Sequence, residues 1–161
     1  MHTSRTTLLA LTLAMLASTV PAWADATAFV GANLTPANRA VKGLSVGAGF
    51  LAVSFEFEYA ATPADAKATA PSLTTGSGNA LLQTPFMIHG FQPYIVAGVG
   101  LYRERLGTLT DTGFAPNSGG GVKIALAGPV RLRVDYRVFK LGNGALYSPA
   151  HRIYAGLNLK F

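Results

Sequence analysis

The feature that most constrains the fold is an alternation of apolar and polar residues along most of the chain. It is clearest at the C-terminus, where Ile153, Leu157 and Phe161 share one face and Arg152 shares the other with Lys160. A period of two is typical of a β-strand, since successive side chains point to opposite faces of a sheet, whereas a helix would scatter both sets. The sequence therefore predicts an all-β fold.

Eight segments carry the alternation, and the connections between them differ in length. Long connections are predicted near 34–42, 60–79, 106–117 and 141–150, where Pro, Gly, Asn, Thr and Ser cluster. Short ones are predicted at 50–52, 90–92 and 127–129. Transmembrane barrels have long outer loops and short periplasmic turns. This pattern supplies four long outer loops and three short periplasmic turns. The predicted strands are centred on 28–33, 44–50, 53–59, 82–89, 94–102, 121–126, 130–138 and 152–161.

The composition indicates that the alternating chain lies in a membrane. Only 12% of the residues are charged, against roughly 25% in a soluble domain. No segment beyond the first 24 residues is an apolar run long enough for a membrane-spanning helix. Since lipid offers the backbone no hydrogen bonds, only helices and closed barrels span it. We therefore predict an eight-stranded antiparallel up-and-down transmembrane β-barrel with its apolar face toward lipid.

The N-terminal residues 1–24 are predicted to be a cleaved signal peptide. An apolar stretch from Thr6 to Val20 ends at Pro21, and Ala22-Trp23-Ala24 supplies the small-x-small cleavage pattern. Cleavage is predicted before Asp25, so that residues 25–161 form the barrel domain. The chain has no cysteine, which excludes a disulfide framework and a thiolate metal site.

The polar face of the strands carries charges of both signs, which predicts an ion-pair network inside the barrel. An eight-stranded barrel has an interior just wide enough for side chains to fill, and buried charges persist only when they are paired. The interior is therefore predicted to be a polar plug and not an open pore. This places much of the net charge of +6 without a nucleic-acid partner. The predicted members are Glu56, Glu58, Lys123, Arg131, Arg133, Asp135, Arg137 and Arg152.

Four segments carry a resemblance to a known family: GLSVGAGFLAVSFEFEYA at 43–60, FQPYIVAGVGLYRE at 91–104, GGGVKIALAGPVRLRVDYRVFK at 119–140 and IYAGLNLKF at 153–161. On these the chain resembles small outer-membrane β-barrel proteins of the OmpA-like and opacity-like type. The resemblance implies an outer-membrane location, with membrane lipid, lipopolysaccharide and the barrel-assembly machinery as partners. It also implies that Phe161 is part of the assembly signal.

No catalytic, cofactor or metal site is predicted. The predicted mature chain has two histidines, His89 and His151, and Ser148 lacks the spacing that would put its side chain beside His151 on one strand face. We therefore predict a non-enzymatic barrel with a structural or surface-interaction role and four outer loops. The alternatives are a low-conductance small-solute channel, a lipid A-modifying barrel enzyme and a soluble lipocalin-like carrier.

The sequence offers two candidate regions for contacts at the outer surface of the barrel. The segment 60–79 is the candidate region for an unidentified surface ligand, because it is the longest predicted loop. Lys42 and the segment 103–105 place cations near the predicted outer strand ends, where they could contact lipopolysaccharide phosphates.

Overall fold

The structure, a computed structural model, describes residues 23–161 and consists of a closed antiparallel barrel. Each strand pairs with its neighbours in sequence, and β1 pairs with β8 to complete the closure. No helix in the described residues is long and apolar enough to span a membrane. The predicted fold is confirmed. The strands are β1 (Trp23–Asn33), β2 (Arg39–Phe50), β3 (Val53–Thr62), β4 (Ser72–Gln83), β5 (Phe91–Leu106), β6 (Leu109–Ala127), β7 (Val130–Phe139) and β8 (Ala150–Lys160).

The two faces of the barrel have the polarity of a membrane protein. The outward side chains of Phe55 and Ile95 are 67% and 63% exposed, whereas the inward side chains of Glu58 and Arg133 are 1% and 0% exposed. A soluble barrel has the opposite arrangement, so the lipocalin-like interpretation is wrong. An apolar exterior around a polar interior is the arrangement of outer-membrane barrels, and it places this chain in a bacterial outer membrane.

The connections at the two ends of the barrel define its orientation. One end holds both the beginning of β1 and the end of β8, together with connections 51–52, 84–90 and 128–129. The other end holds connections 34–38, 63–71, 107–108 and 140–149. Since short turns face the periplasm in such barrels, we call the first end periplasmic and the second end outer.

Two details of the predicted strands are wrong. The fourth strand covers 72–83 and not 82–89, so the predicted loop at 60–79 shrinks to 63–71, and 84–90 is a periplasmic connection. The predicted loop at 106–117 is mostly strand, because residues 109–117 pair with β5 in continuous register. The predicted cleavage point remains a prediction: residues 1–22 lie outside the described part, and β1 begins at Trp23.

The hairpin of β5 and β6 extends beyond its neighbour on one side. β7 ends at Phe139, which faces Asn117, and the Lys140 amide still donates to the Pro116 carbonyl oxygen at 2.9 Å. The part of β6 outward of Pro116 is therefore paired with β5 alone. The hairpin closes through the turn 107–108, where Gly107 has a positive φ of 58° that suits glycine. The outer end of the barrel therefore carries one projecting arm.

Candidate functional site

An ion-pair network lies at the centre of the barrel, and Arg133 connects its parts. The Arg133 guanidinium donates two bonds to Glu56, one of them 3.2 Å long, and a bond of 2.9 Å to Asp135. Its Nε also donates to the Tyr94 hydroxyl oxygen at 2.7 Å, and that hydroxyl in turn donates to Asp135. All four side chains are buried. Arg133 is thus bonded to strands β3, β5 and β7 at once.

The network continues toward the outer end through two further arginines. Arg137 contacts Glu56 at 2.8 Å, Asp135 at 3.0 Å and Glu58 at 3.2 Å. Arg152 contacts Glu58 at 3.0 Å, and the Tyr154 hydroxyl donates to the same carboxylate at 2.8 Å. Three arginines therefore face three carboxylates, and the cluster is neutral when every group is ionised. The charges compensate one another without a bound ion.

Two of the predicted network residues lie apart from this cluster, at the periplasmic end. Lys123 pairs with Asp25 at 2.6 Å and is itself buried. Arg131 donates to the Gln92 side-chain oxygen at 2.9 Å. The structure thus brings together six of the eight predicted residues. It also adds Asp25, which the sequence predicts only as the first residue after the cleavage point.

Two tyrosines, Tyr94 and Tyr154, belong to the network although the sequence analysis did not assign them to it. Alternation did place both on the inward face of their strands. The sequence does not show which groups meet across the barrel, and each tyrosine hydroxyl bonds a carboxylate from a strand distant in sequence. A long inward side chain beside an inward glycine is the signal that could have found them. Tyr94 lies over Gly121, and Tyr154 over Gly31.

An apolar layer closes the interior on the outer side of the network, which the prediction of a polar plug did not include. Leu141 from the outer loop 140–149 packs into this layer, and the loop is held there because the Leu146 amide donates to Glu104 at 2.9 Å. Arg152 lies over the Phe139 ring, 4.5 Å from its centre, and joins the two layers. The buried members are Leu73, Tyr102, Ala115, Phe139, Leu141 and Ala150.

The projecting hairpin presents cations on its outward face. Arg103 lies between Thr74 and Thr112 in the strand register, and Arg105 lies between Ser72 and Thr110. Both arginines are exposed, whereas the inward Tyr102 and Glu104 between and beside them are buried. Each row thus offers a guanidinium flanked by two hydroxyls. Such a surface is chemically suited to phosphate oxygens.

The histidine and serine considered for catalysis do not meet. The Ser148 hydroxyl donates to the Leu141 carbonyl oxygen at 3.2 Å and accepts from the Leu141 amide at 3.0 Å. His151 instead has its Nδ1 2.7 Å from the Tyr136 hydroxyl, on the outward face. Within residues 23–161, Ser148 therefore serves the conformation of the outer loop.

Comparison with solved structures agrees with this architecture. The N-terminal barrel of Pseudomonas aeruginosa OprF superimposes with a TM-score of 0.68 at 16% identity, covering 86% of this chain and 97% of that one. Neisserial surface protein A gives 0.64 at 21% identity, covering 87% and 96%. The fold is that of a small outer-membrane β-barrel. The outer membrane enzyme PagL also shares it, with a TM-score of 0.51 at 19% identity over 85% and 98%.

At these identities the likeness concerns the fold alone. No family model and no curated protein sequence matches the chain. Since one fold supports both enzymes and binding proteins, function has to be argued from the residues of this chain.

Proposed function

We propose that this chain is a non-enzymatic outer-membrane barrel that conducts no solute and acts through its outer surface. The observation that carries the proposal is the double closure of the interior, by a neutral ion-pair network and by the apolar layer above it. A solute would have to break several buried charge pairs, and breaking one such pair costs about 3–5 kcal/mol. A small-solute channel is therefore the less favoured alternative.

Planar-bilayer recording tests the closure directly. The purified protein is expected to insert without steady single-channel currents. A variant that shortens one side chain in each layer, Phe139→Ala with Arg137→Ser, is expected to produce them. Large steady steps from the unaltered protein would show that the interior is open and would contradict the proposal.

The outer surface is proposed to bind lipopolysaccharide through Arg103 and Arg105 of the hairpin, each of which is flanked by two hydroxyls. Arg103 and Arg105 lie on the outward face of β5, and they follow the exposed apolar residues Ile95, Val99 and Leu101 along that strand toward its outer end. Charge-assisted bonds from guanidinium to phosphate are about twice as strong as neutral ones. The unidentified surface ligand proposed for loop 63–71 would be a separate contact, although this loop directly precedes Ser72, which flanks Arg105.

Retention of lipopolysaccharide tests this contact. The double variant Arg103→Gln, Arg105→Gln is expected to lose most of the lipopolysaccharide that copurifies with the protein from outer membranes. Lys67→Gln, which removes a cation from the exposed loop 63–71, is the matched control and is expected to keep it. Equal retention by all three proteins would contradict the assignment.

The non-enzymatic part of the proposal rests on the separation of Ser148 from His151. Lipopolysaccharide incubated with the purified barrel is expected to keep all its acyl chains when examined by mass spectrometry. Loss of an acyl chain, abolished by His151→Ala, would establish the lipid A-modifying alternative instead.

A further inference from the structure

The periplasmic end of the interior holds a cavity of about 230 Å³, below the central network. Each of the eight strands contributes at least one residue to its wall, and β1 contributes both Trp23 and Asp25. The network and the apolar layer close it from above, so the chamber opens only to the periplasm. This dead-end shape rests on the proposed function, whereas occupancy of the chamber can be measured without reference to conductance.

The wall of the chamber carries more positive than negative charge. Lys123, Arg131 and Lys160 line it together with one carboxylate, Asp25. Lys123 forms an ion pair with that carboxylate, with its Nζ 2.6 Å from the Asp25 Oδ2. In the described part of the chain, neither Arg131 nor Lys160 lies within ion-pair distance of an acidic group, and Arg131 has only the neutral oxygen of Gln92. Cations that line a cleft of one sign raise the local concentration of anions.

Both uncompensated cations remain after the predicted cleavage. Lys160 lies 3.3 Å from the centre of the Trp23 ring, and this ring belongs to the segment that cleavage before Asp25 would remove. Removal would free the ammonium group for another partner. The charged groups of the chamber all lie at or after Asp25, so the mature chain keeps them.

A buried hydroxyl without a partner faces the same chamber. Ser54 is 7% exposed and lines the cavity, and its Oγ has no hydrogen-bond partner among the described residues. Buried polar atoms are nearly always bonded, so each unsatisfied atom indicates a missing partner. A hydroxyl that can donate, placed beside free cations, suits an oxyanion.

We propose that this chamber is a binding site for one small anion from the periplasm, a phosphate or a short carboxylate. Arg131 and Lys160 bind its charge, and Ser54 donates a hydrogen bond to one of its oxygens. With Trp23 in its wall, the cavity is smaller than the roughly 300–1,000 Å³ of pockets for drug-sized ligands. The predicted cleavage removes Trp23, so the choice of a compact ion rests on the two cations and the single hydroxyl that remain, which match the few oxygens of a phosphate or a short carboxylate.

Isothermal titration calorimetry of the mature protein in zwitterionic detergent tests the proposal, with inorganic phosphate and succinate as the two probes. At least one probe is expected to bind saturably with one site per chain. Arg131→Gln and Ser54→Ala are each expected to weaken that binding, Arg131→Gln by about tenfold or more because a charge-assisted bond is lost. Lys140→Gln removes an exposed cation at the outer end and is expected to leave binding unchanged.

Three results would overturn the proposal. The first is the absence of saturable binding with both probes. The second is Arg131→Gln binding as tightly as the unaltered protein while it still shows the gel mobility of a folded barrel. The third is equal weakening by Lys140→Gln, which would reveal only general attraction to a basic protein.

Discussion

Arg133 shows how much of the interior depends on a single side chain. It is fully buried and contacts Glu56, Asp135 and Tyr94, which come from three strands. Removing one member of a buried ion pair leaves the other charge without compensation, which costs more than the pair itself contributes. The network is therefore sensitive to loss of the central arginine and much less sensitive to changes at the rim.

Replacement of this arginine gives the first prediction. Arg133→Met is expected to lower the free energy of unfolding by about 3–5 kcal/mol, because two buried carboxylates lose a partner. Urea unfolding in phospholipid vesicles measures it. Lys140→Met removes the same charge from an exposed position and is expected to change the stability by about 0.5 kcal/mol or less. Equal stability of the two variants would show that the network does not stabilise the barrel.

Two glycines on opposite faces give the second prediction. A Cβ at Gly121 would lie 2.2 Å from the Val134 carbonyl oxygen and 2.5 Å from the Tyr94 hydroxyl oxygen, whereas a Cβ at Gly78 would meet nothing within 4 Å. Gly121→Ala is expected to push β6 away from β7, to displace Tyr94 from Asp135 and to cost about 1–3 kcal/mol, as overpacking does. Gly78→Ala is expected to be neutral or to stabilise by roughly 0.5–1 kcal/mol. Urea unfolding of both variants checks the difference, and a reversed order would contradict it.

At the scale of the elements, the sequence predicted those strands whose two faces differ strongly in polarity. β8 is one, since apolar Ile153 and Leu157 alternate with Arg152 and Asn158. The predicted position of β4 is wrong because its outward face carries Thr74, Gly76 and Gly78. These residues differ little in polarity from the inward hydroxyls and amides. The outer part of β6 is wrongly predicted as a loop for another reason. Its Thr, Gly, Pro and Asn residues are typical of loops, and only the pairing with β5 makes them strand.

The projecting hairpin gives the third prediction. Glu104 and Arg105 also pair with β4. Residues 106–111 are paired only within the hairpin at its tip, so local opening there does not require the barrel to open. Their amides are expected to exchange with solvent much faster than those of 94–100, since exposed backbone hydrogen bonds open with little free energy. Hydrogen–deuterium exchange with mass spectrometry checks this in detergent. Equal protection of the two segments would mean that the tip is held by contacts beyond its own strands.

For the molecule as a whole, the interior has three levels with different chemistry. The periplasmic level is a cationic chamber, the middle level is a neutral network, and the outer level is mainly apolar but also holds the buried Glu104, which faces Leu73 in the strand register. Alternation predicted which residues point inward, and therefore six members of the network. It did not predict their height along the barrel axis, which depends on strand register. For this reason the predicted network includes Lys123 and Arg131, which lie in another level, and does not include the apolar layer.

Assembly of the whole barrel gives the last prediction. Phe161 is 74% exposed, and the two backbone bonds of 2.9 Å that it exchanges with Ala24 would be lost on the predicted cleavage before Asp25. Its ring contributes little buried area, so Phe161→Ser is expected to leave the urea midpoint of the refolded protein unchanged. If the ring is the signal for the assembly machinery, the same variant is expected to lower several-fold the heat-modifiable barrel recovered from outer membranes. Leu159→Ser, two positions earlier on the same face, is the matched control for a merely lipid-facing role. Equal recovery of both variants would show that Phe161 acts only as a lipid contact.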